Sequence, residues 1–259
     1  MAGTNDMNSV AAMGFQDAAH IYDQARPSYP NEAIQFLKSL CSTPTTIVDL
    51  GAGTGKLTRL LSAFGAQEII AIEPVSAMRE HLQLIPSITR IIAGTAEHIL
   101  LEDNTVDVIF CGQSFHWFAN ERALTEIHRV LKPNGLLVLI WNTLDYPRYS
   151  WSQQILELIN SYQPPEVPRY RSMKWKSAYE NQNLFPCLQH KQFANIQHMT
   201  RETVINRFLS VSFIAVLPSE EKEKCIMKMC QIIDQTKNIP EQKFDAPYLT
   251  DVYWSCPQK

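Results

Sequence analysis

No apolar run in the sequence reaches the ~18 residues needed to cross a bilayer, so no membrane partner is expected. Residues 1–13 have neither the basic start nor the apolar centre of a secretory leader, which points to a cytoplasmic protein. Cys41, Cys111, Cys187, Cys225, Cys230 and Cys256 include no CxxC pair and no histidines at zinc spacing, so reduced thiols and no metal are expected. Charge of one sign is also missing. With 23 Lys and Arg against 26 Asp and Glu, the net charge of −3 is too balanced for a chain whose whole surface attracts nucleic acid. Glycine is scarce and uneven: nine residues, none after Gly135. Backbone freedom at positive φ is therefore concentrated in the first half.

What is present is enough to fold. The 259 residues are 45% hydrophobic, which supports a real core and excludes a disordered or collagen-like chain. Between about 45 and 142, apolar runs alternate with amphipathic segments, the pattern of βα units on a parallel sheet. Strands are expected at Thr46 to Leu50, Glu68 to Glu73, Thr89 to Ala93, Val106 to Gly112 and Leu136 to Trp141. Helices are expected at Lys56 to Phe64, Ser76 to Leu82 and Glu121 to Leu131. Lys132-Pro133-Asn134-Gly135 reads as the turn that ends the last of these.

Residues 144–186 change texture, with five prolines and many aromatics around one expected helix at Ser152 to Tyr162; they read as an insertion or lid. Downstream, strands are expected at Gln192 to Met199 and Asp251 to Ser255, and helices at Thr200 to Leu209 and Ser219 to Thr236, the latter with Ser219 as N-cap. Helices tolerate the absence of glycine, so this half agrees with its composition.

The stretch Asp49-Leu50-Gly51-Ala52-Gly53-Thr54-Gly55-Lys56 runs from a buried strand into a glycine-rich turn. A phosphate-binding GxxxxGK[ST] loop fails, because Leu50 stands where Gly is required and Leu57 where a hydroxyl is. The dinucleotide fingerprint GxGxxG fails too, since its third glycine comes one residue early. The remaining GxGxG after an acidic strand end resembles the class I S-adenosylmethionine-dependent methyltransferases. Ile70-Ala71-Ile72-Glu73-Pro74 ends the next strand in a carboxylate, which the resemblance assigns to the ribose hydroxyls; two acceptor oxygens suit a vicinal diol. Read without the resemblance, the glycines would form a tight turn, Asp49 a helix-end charge and Glu73 a strand terminator.

The resemblance extends further. Gly94-Thr95-Ala96-Glu97 follows the third strand where the family has Gly-Asp-Ala-Glu; Thr95 replaces the Asp that holds adenine, which passes that contact to backbone near Ala96. Cys111-Gly112-Gln113-Ser114-Phe115-His116-Trp117-Phe118 is similar to the A-x-x-F-H-W-F segment of a small-molecule branch that includes relatives of trans-aconitate methyltransferase. The segment from Phe15 to Pro30 resembles that branch's F-x-x-A-A-x-x-Y-x-x-x-R-P-x-Y-P, expected to cover the cofactor. Trp141-Asn142 and the run from Pro247 to Tyr253 match less specifically.

The resemblance implies a Rossmann-like seven-stranded sheet, mostly parallel with one antiparallel strand, helices on both faces and a lid insertion. A single domain over 1–259 would comprise a cap at 15–40, a cofactor-binding core at 45–142, a lid at 144–186 and C-terminal helices and strands at 187–259. S-adenosylmethionine would be held by Tyr22, Arg26, Asp49, Gly51, Ala52, Gly53, Gly55, Glu73, Pro74, Met78, Thr95, Ala96, Glu97, Gln113 and Phe115. His116, Trp117, Trp141, Asn142 and Trp151 would form the acceptor pocket. Arg26 would pair with the methionine carboxylate or else form a surface ion pair.

His116 is the expected catalytic residue, and its role depends on the acceptor. An alcohol, phenol or amine would use it as a base, a carboxylate would use it only for orientation, and it would otherwise pack beside Trp117. Arg169-Tyr170-Arg171-Ser172-Met173-Lys174-Trp175-Lys176 interleaves four cations with two aromatics, as a solvated lid edge or an anion site would. The expected function is methyl transfer to a small molecule, most readily at oxygen, by a monomer or weak homodimer. Nucleic acid is not the expected partner. A macromolecule methyltransferase and a fold recruited for other chemistry remain the alternatives.

Overall fold

The computed structural model describes residues 14, 23, 25–235 and 243–259. Strands β1 (Thr46–Leu50), β2 (Glu68–Ile72), β3 (Arg90–Ile92), β4 (Val106–Gly112) and β5 (Leu131–Leu144) run parallel. Strands β6 (Gln189–Met199) and β7 (Phe244–Ser255) complete one sheet of order β3-β2-β1-β4-β5-β7-β6. β7 is antiparallel to both neighbours, β5 and β6, and is the single reversed strand.

Side chains alternate across this sheet, so each central strand feeds two cores. Ile47, Val108, Phe110, Val138 and Ile140 face one layer, which includes Ala33, Ile34 and Leu37 of helix α1 (Asn31–Leu40) and Leu61 of α2 (Thr58–Leu61). Val48, Ile70, Ile109, Leu137 and Leu139 face the other, with Leu124, Ile127 and Val130 of a later helix. Each such fully buried aliphatic contributes roughly 1.5–3 kcal/mol. Helices α3 (Ser76–Leu82) and α4 (Glu121–Val130) connect the parallel strands, and Asn120 caps α4 by accepting from Ala123 N at 2.9 Å.

Beyond β5, helices α5 (Ser150–Ser161), α6 (Trp175–Glu180), α7 (Arg201–Leu209), α8 (Ser212–Ala215) and α9 (Ser219–Gln235) follow. Trp151, Ile155 and Ile159 of α5 pack with Val204, Phe208, Cys225 and Met229 in a third core. The first part of residues 144–186 thus docks on the C-terminal helices, while Trp175, Tyr179 and Phe185 pack in the sheet core with Leu124 and Ile127. Among the described residues, no helix is long and apolar enough to cross a membrane.

Three expectations need correction. The turn at Lys132-Gly135 lies inside β5, where the pairing shifts from Val106 with Leu131 to Val108 with Leu136; Pro133 lacks a ladder donor, and the chain bows out there instead of breaking. Ser219 is the first helical residue, not the cap, because Lys222 N already donates to Pro218 O at 2.9 Å. The final strand is longer than expected and starts at Phe244, since Phe244 to Tyr248 pairs with β6 along its full length.

Candidate functional site

The strand order reverses between β1 and β4, so the loops leaving their carboxyl ends part and open a crevice. A cavity of about 1090 Å³, its mouth included, occupies that crevice. Gly51, Ala52, Gly53, Thr54, Glu73, Pro74, Met78, Thr95, Ala96, Glu97 and Gln113 line it, together with Arg26, Tyr29, Lys56, Trp117, Phe118 and Asn142.

Backbone hydrogen bonds set the glycine loop. Gly51 N and Ala52 N both donate to Ile72 O, at 2.8 and 3.1 Å, which ties the end of β1 to the end of β2. Gly53, which lines the cavity, has φ +57°, and a Cβ there would meet nothing within 4 Å. Gly55 works differently: with φ +83° it faces Leu82 and Ile85, and its missing side chain lets the loop pack on α3.

Glu73 is one of two buried carboxylates lining the cavity, 6% exposed against 8% for Glu97. Its Oε2 accepts from Gly53 N and its Oε1 from Val75 N, both at 2.9 Å. Burial pushes its pKa up, opposed by those two N–H groups and by the Arg79 charge. Arg79 Nη1 in turn donates to Glu73 O and Pro74 O, at 2.9 and 2.6 Å, fixing the strand end.

Asp23 and the described residues from Ala25 onward contact this loop and its surroundings. Asp23 accepts from Thr54 Oγ1 at 3.2 Å and from Arg59 Nη1 at 3.3 Å, and Lys56 Nζ donates to Asp23 O at 2.7 Å. Arg26 donates through Nε to Ser210 Oγ at 3.0 Å and through Nη2 to Ser210 O at 3.1 Å, joining the segment to the end of α7. Asn142 Nδ2 donates to Ser28 O at 3.1 Å while its Oδ1 accepts from Thr250 Oγ1 at 2.5 Å. Tyr22 lies outside the described residues.

A second cavity continues from the first and shares Arg26, Gln113, Trp117, Asn142 and Arg207 with it. His116 lines this one, with Arg169, Arg171 and Tyr170. The Trp141 indole donates from Nε1 to His116 Nδ1 at 3.2 Å. An indole N–H only donates, so Nδ1 is the unprotonated nitrogen and the neutral ring carries its hydrogen on Nε2. Burial, with the charges of Arg26 and Arg169, pulls the His116 pKa down to about 3.

Several expected site residues lie elsewhere. Asp49 is 1% exposed beneath the cavity floor, where Oδ2 accepts from Thr58 Oγ1 at 2.6 Å. Desolvation raises its pKa to about 7, helped by the Glu73 charge. Phe115 is turned into the core against Phe118 and Trp175. Trp141 is fully buried behind His116 and Tyr170, and Trp151 packs with Tyr149 and Phe244 away from both cavities. Phe115, Trp141 and Trp151 each take the inward position of their element, where burial of an aromatic gains more than cavity contact.

Arg207 enters without a signal in sequence, whereas Arg169, Arg171 and Gln113 are singled out there. Arg207 is 7% exposed and lines both cavities from the last turn of α7. Arg169 and Arg171, read as a solvated edge or an anion site, face the second cavity. Gln113 holds φ +59°, a conformation costing about 1–3 kcal/mol for a residue other than glycine, and lines both cavities. Its Nε2 donates to Asn142 O at 3.0 Å.

Comparison with known proteins agrees with this geometry. A family model described as a methyltransferase domain matches residues 48–139. An uncharacterized methyltransferase-like protein of Schizosaccharomyces pombe is 38% identical over 221 residues, 85% of this chain and 84% of its own. An uncharacterized methyltransferase of Mycobacterium tuberculosis is 33% identical over 222 residues, 86% of each chain. Among solved structures, a protein assigned as a type II methyltransferase from Anaeromyxobacter dehalogenans shares the fold with a TM-score of 0.70 at 18% identity, over 89% of this chain and 97% of that one.

Proposed function

Because this chain belongs to the class I S-adenosylmethionine-dependent methyltransferases, we propose that it methylates a small molecule at oxygen in the second cavity. When bound, S-adenosylmethionine supplies an electrophilic methyl group on a sulfonium. The residues of the first cavity suit that group. Gly53 leaves open the space that a side chain would fill, Glu73 offers lone pairs on both oxygens to a vicinal diol, and Pro74, Met78, Ala96 and Phe118 supply flat apolar walls. Arg26 reaches the junction of the two cavities, where it meets the amino-acid end of the donor.

The observation that carries the small-molecule reading is that the second cavity is a recess continuous with the first and walled by several elements of the chain. Its walls come from β5, α5, the turn at Tyr170–Ser172 and α7, so an acceptor must enter a recess beside the donor site. A nucleic acid or folded protein is better served by an open basic surface. Residues 144–186 act in this reading as the lid and the segment around 25–40 as the cap, both belonging to one domain that works as a monomer or weak homodimer in the cytoplasm. Trp117, Gln113 and Asn142 line up the acceptor with the methyl group.

Incubation of the purified chain with labelled methyl donor and a fractionated cell extract tests this. Label is expected in the small-molecule fraction. Label confined to RNA or protein would overturn the reading.

A further inference from the structure

We propose that Cys187 and Cys256 are a redox-modification site: a small-molecule disulfide such as oxidised glutathione joins them in an internal disulfide, and a thiol reductant opens it again. Both thiols are free and exposed in the structure, and neither residue lines either cavity.

The strand ladder brings the two together. β6 and β7 pair antiparallel, and at the outer end of the ladder Gln189 lies opposite Trp254. Two more residues along each chain, in the same register, put Cys187 opposite Cys256. Beyond them Gln258 N donates to Leu184 O at 2.8 Å, so the two chains stay side by side past the end of the ladder. The cysteines are thus bracketed by one cross-chain tie on either side. The chain end is seated as well, since His128 Nε2 pairs with Gln258 O at 2.9 Å and Pro257 is buried. Tyr179 reports the same placement from the sheet core. Burial pushes its hydroxyl pKa up and the charges of Cys256 and Cys187 add to it, which puts both sulfurs near that one hydroxyl.

Opposed residues of an antiparallel pair have Cα atoms about 4.5–5.5 Å apart and side chains on one face. A disulfide takes Cα separations of about 4.4–6.8 Å, so a cross-strand pair at the end of the ladder closes without moving the backbone. Rival pairings are poorer. Cys111 and Cys225 are buried, and Cys41 and Cys230 are half-buried. Cys225 and Cys230 share α9 but are five residues apart, which turns them to different faces of the helix.

The bond forms by two exchanges. The Cys187 thiolate attacks one sulfur of the oxidised glutathione, making a mixed disulfide and releasing one glutathione thiolate. The Cys256 thiolate then attacks the Cys187 sulfur, making the internal bond and releasing the second. Two electrons pass from the protein to the small disulfide, and the two protons shed by the cysteines go to the two released thiolates. A solvent-exposed disulfide is the reducible kind, so the reaction runs back under excess thiol. The closed bond clasps the end of residues 144–186 to the last strand. It encloses β6 and helices α7 to α9 in one covalent loop, which constrains the unfolded chain.

Peptide mapping of the full chain tests this. The protein is equilibrated with set ratios of oxidised and reduced glutathione, denatured, alkylated at the remaining thiols and digested with trypsin. Cleavage after Lys176, Lys191 and Lys243 leaves the two cysteines in separate peptides, 177–191 and 244–259. These two peptides are expected joined, from monomeric protein, with the other four cysteines alkylated. Cys256→Ser should arrest the exchange at the mixed disulfide, leaving glutathione on Cys187. The oxidised wild type should unfold several degrees above the reduced form, and the variant with both Cys187→Ser and Cys256→Ser at one midpoint in either mixture. No joined peptides in the most oxidising mixture, glutathione on each cysteine separately, a link to another cysteine, or a bond found only in covalent dimers would each overturn the pairing. An unchanged midpoint in protein whose peptides are joined would overturn the clasp.

Discussion

Trp141 Nε1 lies 3.2 Å from His116 Nδ1 and donates to it, so a fully buried indole sets the tautomer of the histidine in the acceptor cavity. Trp141 is a positioning residue, stacked on Tyr170 at 4.4 Å between ring centroids. Trp141→Phe frees Nδ1 to carry the hydrogen. Nitrogen NMR of the wild-type ring should report the Nε2–H form, and the variant a mixture. The KM for the acceptor should rise several-fold while that for the methyl donor stays. A wild-type ring protonated on Nδ1 would contradict the assignment.

Glu73→Ala removes both acceptors that bind Gly53 N and Val75 N, so the loop loses its tie as well as its diol contact. Affinity for S-adenosylhomocysteine should fall by about 1.5–3 kcal/mol, the range for hydrogen bonds to a charged group. Calorimetry measures this. The circular dichroism spectrum should be unchanged, and unaltered affinity would rule out the ribose assignment.

Gly53→Ala and Gly55→Ala should separate binding from folding. Both residues have positive φ, which costs an alanine roughly 1–2 kcal/mol. At Gly53, on the cavity lining, the new methyl meets nothing within 4 Å, so loss of cofactor affinity should exceed loss of stability. At Gly55 it meets Leu82 Cδ2 at 2.9 Å and crowds Ile85 Cδ1 more closely, so denaturation should show the larger effect.

Asp49 and His116 make opposite contributions to stability against pH. Asp49, at about 7 folded against an ordinary 3.8, binds a proton more readily in the folded chain, so it destabilises progressively as pH rises from 3.8 through 7. His116, at about 3 folded against an ordinary 6.5, resists the proton that the unfolded chain accepts, so stability is lost as pH falls below 6.5. Between pH 4 and 6.5 the two slopes oppose, each up to about 1.4 kcal/mol per unit. Urea denaturation should therefore show Asp49→Asn losing stability on acidification faster than wild type. His116→Phe should gain stability relative to wild type over the same range.

The donor side was legible because its signals are local. Three glycines after a buried strand and an acid at the end of the next strand specify a turn and a carboxylate whatever the rest of the chain does. The acceptor side depends on which way side chains face, and composition is silent on that. Phe115 and Trp117 are two residues apart in one short helical turn, yet one is core and the other lines both cavities. Arg207 looks like any helical arginine until α7 is seen docked beside β5 and β7. Gln113 adopts a backbone conformation that glycine or asparagine would have advertised.

β7 lies between β5 and β6, although β6 precedes it in the chain. During synthesis β6 has no ladder to join until residues 244–255 leave the ribosome and bridge it to the older strands. The nascent chain must carry an eleven-residue strand, Gln189–Met199, with both edges open in the meantime. That interval leaves the segment open to wrong pairing with another chain.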